Sequence, residues 1–340
     1  MHRLPTNVPG RRQFLARACA TGLAALTGLD HLVARAEAPP EITRIRIVHV
    51  PAVCMAPQYL AEDLLRMEGF TEVDYLALGT RSGLSALADS RADVTMWPAA
   101  ELIPHLDAGR PIVVLAGIHG GCWELFGNER VRSIRDLKGK TVSISYLGDG
   151  QHVLLSAMLS YVGMDPREVV WFDANASLRD AMTVFAEGKS DAFFGFPPQP
   201  QELRARKIGR VIVSTAEDKP WNQYFCCMFA ANREFAERNP VATKRALRAI
   251  LKATDICAAQ PQRVARYLAD HNYETRFDLS LDALKSVNFN FWRSANPEDT
   301  MRFYALRLHE VGMLKTTPQK LIAQGTDWRF LNELKRELKA

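Results

Sequence analysis

The stretch Ala88-Asp89-Ser90-Arg91-Ala92-Asp93-Val94 leaves a helix-like pattern and enters a strand-like one. The stretch from Ala186 to Ala192, which reads Ala-Glu-Gly-Lys-Ser-Asp-Ala, does the same 98 residues later. In both places a proline follows within a few residues. Two similar α/β lobes in one chain would produce such an internal repeat, so we take two related lobes as the starting hypothesis.

Strand-like and helix-like patterns alternate on both sides of this stretch. The apolar spacing predicts strands at residues 44–50, 73–78, 94–97, 112–118, 141–145, 169–173, 192–196, 211–215 and 224–231. It predicts helices at 57–68, 82–90, 99–108 and 151–162, and one capped by Ser177; from Asn239, a predicted cap, the chain is mostly helical. This order predicts an α/β protein in which each lobe is a mostly parallel sheet flanked by helices, with the C-terminal helices packed on the first lobe.

The amino-acid composition indicates a globular protein and excludes several other classes. The chain has 340 residues, of which 47% are hydrophobic and 24% are charged. These are globular values, and they exclude a disordered chain, a collagen and a coiled coil. Mean hydropathy is −0.14, and the one long apolar stretch lies at the N-terminus, which excludes a polytopic membrane protein.

The first 36 residues have the pattern of an export signal. Arg11-Arg12-Gln13-Phe14-Leu15 precedes a weakly apolar run over 16–29, and Ala34-Arg35-Ala36 matches a cleavage site. The arginine pair resembles a twin-arginine signal, so we expect a periplasmic protein. Cleavage removes five of 43 basic residues and one of 38 acidic ones, which leaves a net charge of +1. Such a charge does not indicate a nucleic-acid partner.

Familiar catalytic, phosphate-binding and metal-binding motifs are absent from the sequence. We therefore predict no catalytic residue, no metal and no cofactor. Cleavage leaves Cys54, Cys122, Cys226, Cys227 and Cys257. Five thiols cannot all pair within one chain, so we expect free thiols, with a vicinal Cys226–Cys227 disulfide as the alternative.

Ligands of open α/β sheets bind at the carboxyl ends of the strands. Arg81 in the loop Gly79–Gly83 could hold an anion or be a solvated arginine beside a helix cap, and Asp149 is expected to cap a helix. The rings of Trp97, Trp123, Phe196 and Trp221 could stack on a ligand or lie in the core. The ligand class is left open between an anion and a heteroaromatic ring. The predicted binding residues are Cys54, Met55, Arg81, Ser82, Trp97, His119, Gln151, His152, Phe196 and Trp221.

Four motifs together resemble a known family. They are Pro57-Gln58-Tyr59-Leu60-Ala61, the stretch 88–94, Asp136-Leu137-Lys138-Gly139-Lys140, and Phe235-Ala236-Glu237-Arg238-Asn239-Pro240 with its following helix. Over roughly residues 44–271 the chain resembles the nitrate/sulfonate/taurine-type substrate-binding proteins of ABC importers. Their superfamily also includes pyrimidine-precursor binders and the thiamine-pyrimidine synthase.

The resemblance implies a periplasmic binding protein type 2 fold that closes about a hinge over a small molecule. Partners would be the permease and ATPase subunits, and the protein would be a monomer. The lobes would comprise residues 37–120, then 121–222, with 223–340 returning to the first lobe. An exported sensor subunit would share these features.

The resemblance also leaves an enzyme related to the synthase as the alternative. The synthase carries pyridoxal phosphate on a lysine shortly after the aspartate of the 88–94 motif, with a histidine just beyond it. Counting from Asp93, Trp97 and Glu101 stand at those places. The cysteine-rich stretch of the synthase is matched only by Cys226-Cys227. These differences favour the binding protein.

Overall fold

The computed structural model describes residues 37–77, 80–175 and 178–340, with backbone alone at 80–82 and 178. The predicted export signal, Gly79 and the predicted cap Ser177 lie outside the described residues. Within that part of the chain, none of the helices combines the length and apolar character that a membrane span requires.

Within the residues that the structure describes, ten strands form two separate five-stranded sheets. The first sheet has the order β2-β1-β3-β10-β4 and the second the order β7-β6-β8-β5-β9. The strands are β1 (Arg44–Val48), β2 (Glu72–Leu76), β3 (Val94–Pro98), β4 (Ile112–Gly120), β5 (Glu124–Gly127), β6 (Thr141–Ile144), β7 (Val170–Asp173), β8 (Ala192–Gly195), β9 (Arg210–Ser214) and β10 (Phe225–Asn232).

The two sheets have the same topology. β10 is antiparallel to β3 and β4 in the first sheet, and β5 is antiparallel to β8 and β9 in the second. The other strands of each sheet run in one direction. The chain crosses between the sheets at residues 121–123 and returns at 215–224. We call each sheet with its helices a lobe, and the two-lobed, mostly parallel α/β prediction is confirmed.

Fifteen helices surround the sheets in the described part of the chain. They are α1 (Ala56–Leu60), α2 (Glu62–Met67), α3 (Thr80–Ala88), α4 (Ala99–Asp107), α5 (Gly150–Tyr161), α6 (Leu178–Ala186), α7 (Gln199–Ala205), α8 (Arg233–Arg238), α9 (Pro240–Ala259), α10 (Pro261–Asp270), α11 (Phe277–Ser286), α12 (Phe291–Ser294), α13 (Pro297–Glu310), α14 (Pro318–Gly325) and α15 (Arg329–Glu337).

Several elements differ from the sequence prediction. The helix predicted over 57–68 is interrupted at Ala61 and forms α1 and α2. The proline-rich sequence of residues 197–200, which indicates a stiff loop, instead leads into α7 at Gln199. Pro200 lies in the first turn of this helix, where its missing N–H costs no hydrogen bond. Asn239 precedes α9 without capping it, since its amide donates to the Phe235 carbonyl instead.

The repeated stretch plays the same structural role in both lobes. Ser90 and Gly188 both have positive φ, at 58° and 73°, directly after α3 and α6. Asp93 then accepts a hydrogen bond from the Arg46 N–H at 2.7 Å, and Asp191 accepts one from the Thr141 N–H at 3.0 Å. Each aspartate therefore joins the start of one strand to its parallel neighbour.

A buried glutamine joins the same pairs of strands near their other ends. Gln58 donates to the Val48 carbonyl and accepts from the Met96 N–H, both at 2.8 Å. Gln151 accepts from the Ser145 N–H at 2.8 Å and donates to the Phe194 carbonyl at 2.6 Å. These amides satisfy backbone groups at the points where the β1–β3 and β6–β8 pairings end.

The two crossing segments are in direct contact. Thr215 donates its N–H to the Trp123 carbonyl at 2.8 Å, and the Trp123 N–H donates to the Thr215 hydroxyl at 2.8 Å. A Cβ on Gly121 would lie 2.0 Å from the Thr215 carbonyl oxygen. This close approach requires glycine at position 121.

The C-terminal helices pack on the first lobe and also reach the second. Glu310 at the end of α13 accepts from the Ser160 hydroxyl of α5 at 3.1 Å. Arg276 pairs with Glu202 of α7, and Arg204 of α7 pairs with Asp282 at 3.2 Å. These contacts link the lobes at places away from the crossing segments.

Gly121→Ala is expected to destabilise the protein far more than Gly120→Ala. A Cβ at position 120 would meet nothing nearer than 3.5 Å, whereas one at 121 would overlap a backbone carbonyl. Thermal unfolding of both variants measures the difference. Equal midpoints would contradict the tight contact between the crossing segments.

Gln58→Met should lower the free energy of unfolding by about 2–4 kcal/mol, because it leaves the buried Val48 carbonyl and Met96 N–H without partners. Gln201→Met is the matched control, since Gln201 is also buried but its amide oxygen has no hydrogen-bond partner in the described part of the chain. Denaturant titration compares the two. A similar loss in both variants would show that volume, and not hydrogen bonding, matters at Gln58.

Candidate functional site

A small, partly open cavity lies between the lobes, at the carboxyl ends of the parallel strands. Its free space is about 40 Å³, which is room for a few water molecules. The first lobe contributes Val50, Cys54, Met55, Trp97, Pro98, Glu101 and Cys227, and the rest of the lining is Trp123, Ser145, Tyr146, Asp149, Gly150, Gln151 and Phe196.

Most of the lining is apolar and aromatic. Trp123 and Phe196 meet edge to face with ring centroids 4.7 Å apart. Trp97 lies against Gly83, where a Cβ would come within 2.4 Å of the ring. The Trp97 indole N–H is buried, and it stabilises the charged form of the Glu101 carboxyl group. The cavity thus offers flat ring surfaces to a ligand.

Two carboxyl groups, Glu101 and Asp149, lie in this mostly apolar lining. Burial and, to a smaller extent, the charge of Asp149 raise the pKa of Glu101 to about 8. Burial also raises the pKa of Asp149 to about 7, although N–H groups of His152 and Tyr146 stabilise its charged form. A hydrogen-bond donor or a cation placed between them would relieve this cost.

The two carboxyl groups are held by different means. Asp149 caps α5, as predicted, by accepting from the His152 N–H at 2.8 Å. Glu101 comes from the first turn of α4, and the Tyr146 hydroxyl donates to it at 3.5 Å. A Cβ on Gly150 would lie 3.0 Å from Glu101, so the glycine allows the two helix starts to approach.

Half of the predicted binding residues meet at this cavity. Cys54, Met55, Trp97, Gln151 and Phe196 line it. The Gln151 amide already bonds Ser145 and Phe194, so its role in the structure is to join strands. The side chains of Arg81 and Ser82 lie outside the described residues.

The other three predicted residues lie elsewhere. His119 is fully buried on β4 against Phe289. His152 packs against Trp171 in a separate surface crevice, and burial lowers its pKa to about 4. Trp221 packs between Tyr161 and Phe303, with ring centroids at 5.0 and 6.0 Å. The side chain of each residue is held by tertiary packing, which the positions of these residues in the sequence do not predict.

Sequence reasoning did not select Glu101 and Asp149 as binding residues. Glu101 could have been selected from its position after Asp93, because the synthase has a histidine at the corresponding position. Asp149 was taken as a cap, and it both caps α5 and lines the cavity.

A cluster of thiols and one imidazole lies beside the cavity. His119 with Cys54 and Cys122, and His119 with Cys226 and Cys227, form two buried triads whose donor atoms lie within 4.8 Å of one another. Such a set could hold a soft metal ion. Hydrogen bonds from Cys122 and Cys227 lower the pKa of the Cys54 thiol well below its usual range, against burial, which raises it.

The cavity does not fit pyridoxal phosphate. Among the residues that the structure describes, the lining contains no lysine that could form an imine and no arginine or lysine that could meet a phosphate. When ionised, the two carboxyl groups of the lining would repel a phosphate group. Trp97 and Glu101, which replace the synthase residues, both face this space as lining residues.

The model of the family described as NMT1/THI5 like matches residues 71–264. Two yeast proteins, the 4-amino-5-hydroxymethyl-2-methylpyrimidine phosphate synthases THI5 and THI13 of Saccharomyces cerevisiae, are each 29% identical over 174 residues. That match covers 47% of this chain and 48% of each yeast chain. The chain thus spans about half the length of the curated relatives it matches.

Solved structures of similar fold include two proteins described as periplasmic or substrate-specific binding proteins. The periplasmic nitrate-binding protein NrtA from Synechocystis PCC 6803 has a TM-score of 0.74 at 15% identity, covering 89% of this chain and 90% of its own. The alkanesulfonate-binding protein SsuA from Xanthomonas axonopodis pv. citri has a TM-score of 0.68 at 17% identity, covering 85% and 99%. At these identities the likeness shows the fold.

Glu101→Gln should flatten the dependence of stability on pH. Because the folded-state pKa of about 8 exceeds the ordinary value of 4.5, the folded state holds a proton that the unfolded chain has lost, and stability falls as pH rises from 5 to 8. The loss attributable to Glu101 is on the order of 3 kcal/mol. Unfolding midpoints from pH 5 to 8.5 measure it, with exposed Glu129→Gln as control. An unchanged slope in Glu101→Gln would contradict the burial effect.

Proposed function

The chain belongs to the NMT1/THI5-like family, and from this membership we propose that it is the solute-binding subunit of an ABC importer. In this proposal residues 1–36 direct it to the periplasm by the twin-arginine route. The mature monomer captures a small heteroaromatic molecule between its lobes. It then delivers the ligand to a permease that is driven by ATPase subunits.

One observation carries the proposal: the cavity lies between two lobes that are joined by two adjacent crossing segments. Its free space of about 40 Å³ is too small for a six-membered ring. A ligand would therefore enter when the lobes separate and be enclosed when they close. The shared fold with nitrate- and alkanesulfonate-binding proteins supports this movement.

The chemistry of the lining favours a ring that donates hydrogen bonds or carries positive charge. Trp97, Trp123 and Phe196 provide ring surfaces. Glu101 and Asp149 would accept from ring or amino N–H groups, and either charge would be stabilised by a cation. An anion would meet these carboxyl groups with no described lysine or arginine in the lining to offset them. Of the two ligand classes left open by the sequence, the lining thus supports the heteroaromatic one.

The enzyme alternative draws support from the yeast synthases, which match over about half of their length. The described lining opposes it, since pyridoxal phosphate finds neither an imine-forming lysine nor a phosphate partner there. Turnover separates the two proposals, because a binding protein releases its ligand unchanged.

The test is a thermal-shift series with residues 37–340. Probes are 4-aminopyrimidine, 4-amino-5-hydroxymethyl-2-methylpyrimidine and 1-methylpyridinium, set against taurine, nitrate and MOPS. A ring compound at about 100 times its Kd should stabilise the fold by about 2.7 kcal/mol, a shift of several degrees. Calorimetry then measures stoichiometry, and mass spectrometry of the recovered probe checks for product.

Glu101→Gln should lose most of the shift, while Glu129→Gln, which changes an exposed carboxylate away from the lining, should keep it. Stabilisation by the anions alone would overturn the ligand class and leave the binding protein standing. Conversion of a probe to product would overturn the binding-protein proposal in favour of the enzyme.

A further inference from the structure

The structure places two thiols from the two crossing regions side by side at the hinge. Cys122 lies on the segment 121–123 that leaves the first sheet, and Cys226 lies at the start of β10, just after the chain returns. Their sulfur atoms are 3.2 Å apart. A disulfide bond of about 2.05 Å would require them to approach by only about 1 Å.

We propose that Cys122 and Cys226 form a redox-sensitive pair that oxidises to an intrachain disulfide across the hinge. The proposal concerns a modification of the hinge and does not depend on which ligand the cleft binds.

Other pairings in the cluster are less favourable. Cys226 and Cys227 have their sulfur atoms 3.6 Å apart, but neighbouring Cα atoms are about 3.8 Å apart across a trans peptide, below the usual disulfide range. Cys257 is fully buried within α9. Cys54 also lies beside Cys122, with the two sulfur atoms within 4.8 Å of each other. The contact of 3.2 Å between the Cys122 and Cys226 sulfur atoms favours this pair, and a peptide map distinguishes it from a linkage to Cys54.

Access also distinguishes this pair. Cys122 and Cys226 each expose 6% of their surface, against 2% for Cys54 and 1% for Cys227. Cys54 and Cys227 line the ligand cavity, so the cluster borders the cleft that opens between the lobes. A small oxidant such as a peroxide can reach it by that route, whereas a large disulfide reagent needs wider opening.

The surroundings supply a proton acceptor. The His119 Nδ1–H donates to the Gly120 carbonyl at 2.8 Å, because a carbonyl can only accept. Nδ1 therefore carries the proton, and Nε2 keeps its lone pair. The imidazole also interacts with the Cys54 thiol, and one of its ring nitrogens lies within 4.8 Å of the Cys226 sulfur.

With hydrogen peroxide as the oxidant, the reaction balances in two steps. One thiolate attacks a peroxide oxygen, the O–O bond breaks, and a sulfenic acid forms with hydroxide, which takes up the proton released by that thiol. The second thiol attacks the sulfenic sulfur, the S–S bond forms and the S–O bond breaks, and the second water carries away the remaining proton. Two thiols are oxidised and one peroxide is reduced to two waters.

The bond would also affect the cleft. Trp123 follows Cys122, its ring lines the cavity, and its indole N–H donates to the Cys226 sulfur at 3.1 Å. Drawing Cys226 toward Cys122 moves the acceptor of that hydrogen bond. A disulfide would fix the two crossing segments to each other and link their redox state to the position of a cavity ring.

The experiment uses the full chain, reduced with dithiothreitol, freed of it, and treated with a small excess of hydrogen peroxide. Remaining thiols are then alkylated under denaturing conditions, and peptides are mapped without reduction. We expect a linked peptide containing Cys122 and Cys226, lighter by two hydrogens and lost after dithiothreitol. The unfolding midpoint of oxidised protein should rise by about 5 °C or more, since a loop of roughly 100 residues is closed.

Cys122→Ala and Cys226→Ala should lose both the linked peptide and the rise in midpoint, and the control Cys257→Ala should keep both. If Cys122→Ala or Cys226→Ala fails to fold, the peptide map of the wild-type protein by itself shows whether the Cys122–Cys226 disulfide forms. A linkage through Cys54 or Cys227, irreversible sulfinic acid, or complete alkylation of all cysteines would overturn the proposal. So would one tightly held metal ion per chain that blocks alkylation until a chelator removes it.

Discussion

Each sheet of this protein depends on polar side chains that hold its central parallel strands together from within. Asp93 and Gln58 link β1 to β3, and Asp191 and Gln151 link β6 to β8. The strand pairing that they extend is short, with a single register pair between β1 and β3 and two between β6 and β8. Because buried backbone groups must be paired, these side chains fix where each strand ends, and the strand ends in turn form the cleft.

The cleft follows from this arrangement. Gln58 and Gln151 lie in α1 and α5, close in the chain to Met55 and Asp149, which line the cavity. Their amides reach the carboxyl ends of the strands that they join. The start of α5 presents Asp149, and the start of α4 presents Glu101 on the opposite lobe. Burial in a lining of aromatic rings then raises the pKa of both carboxyl groups. The site thus favours positive charge or N–H donors, whereas the sequence left an anion equally open.

The hinge combines a steric and a chemical constraint. Gly121 allows the crossing segments to touch at Thr215. Cys122 follows it directly, so the closeness of the segments also brings Cys122 to Cys226. The contacts of α7 and α13 with neighbouring elements, through Arg276 and Glu310, add links that would have to adjust in the proposed closure.

The sequence by itself determined the class of fold. Alternating patterns and the internal repeat between 88–94 and 186–192 predicted two similar α/β lobes, since strand and helix periodicity are local properties. It also predicted the Asp149 cap and five of the lining residues, because these lie at the carboxyl ends of strands or in the segments that follow them. The pattern missed β5, which has only four residues, and α7, which begins within a proline-rich stretch.

Only the tertiary structure decided which side chains share the cavity. His119, His152 and Trp221 follow strands or precede helices as the cavity residues do, yet their rings are held by Phe289, Trp171 and Tyr161. Glu101 and Asp149 are 48 positions apart, and Cys122 and Cys226 are separated by 104. These residues come close together because one lobe packs against the other, and the resulting burial shifts the pKa values of the carboxyl groups. No local pattern in the sequence predicts this packing.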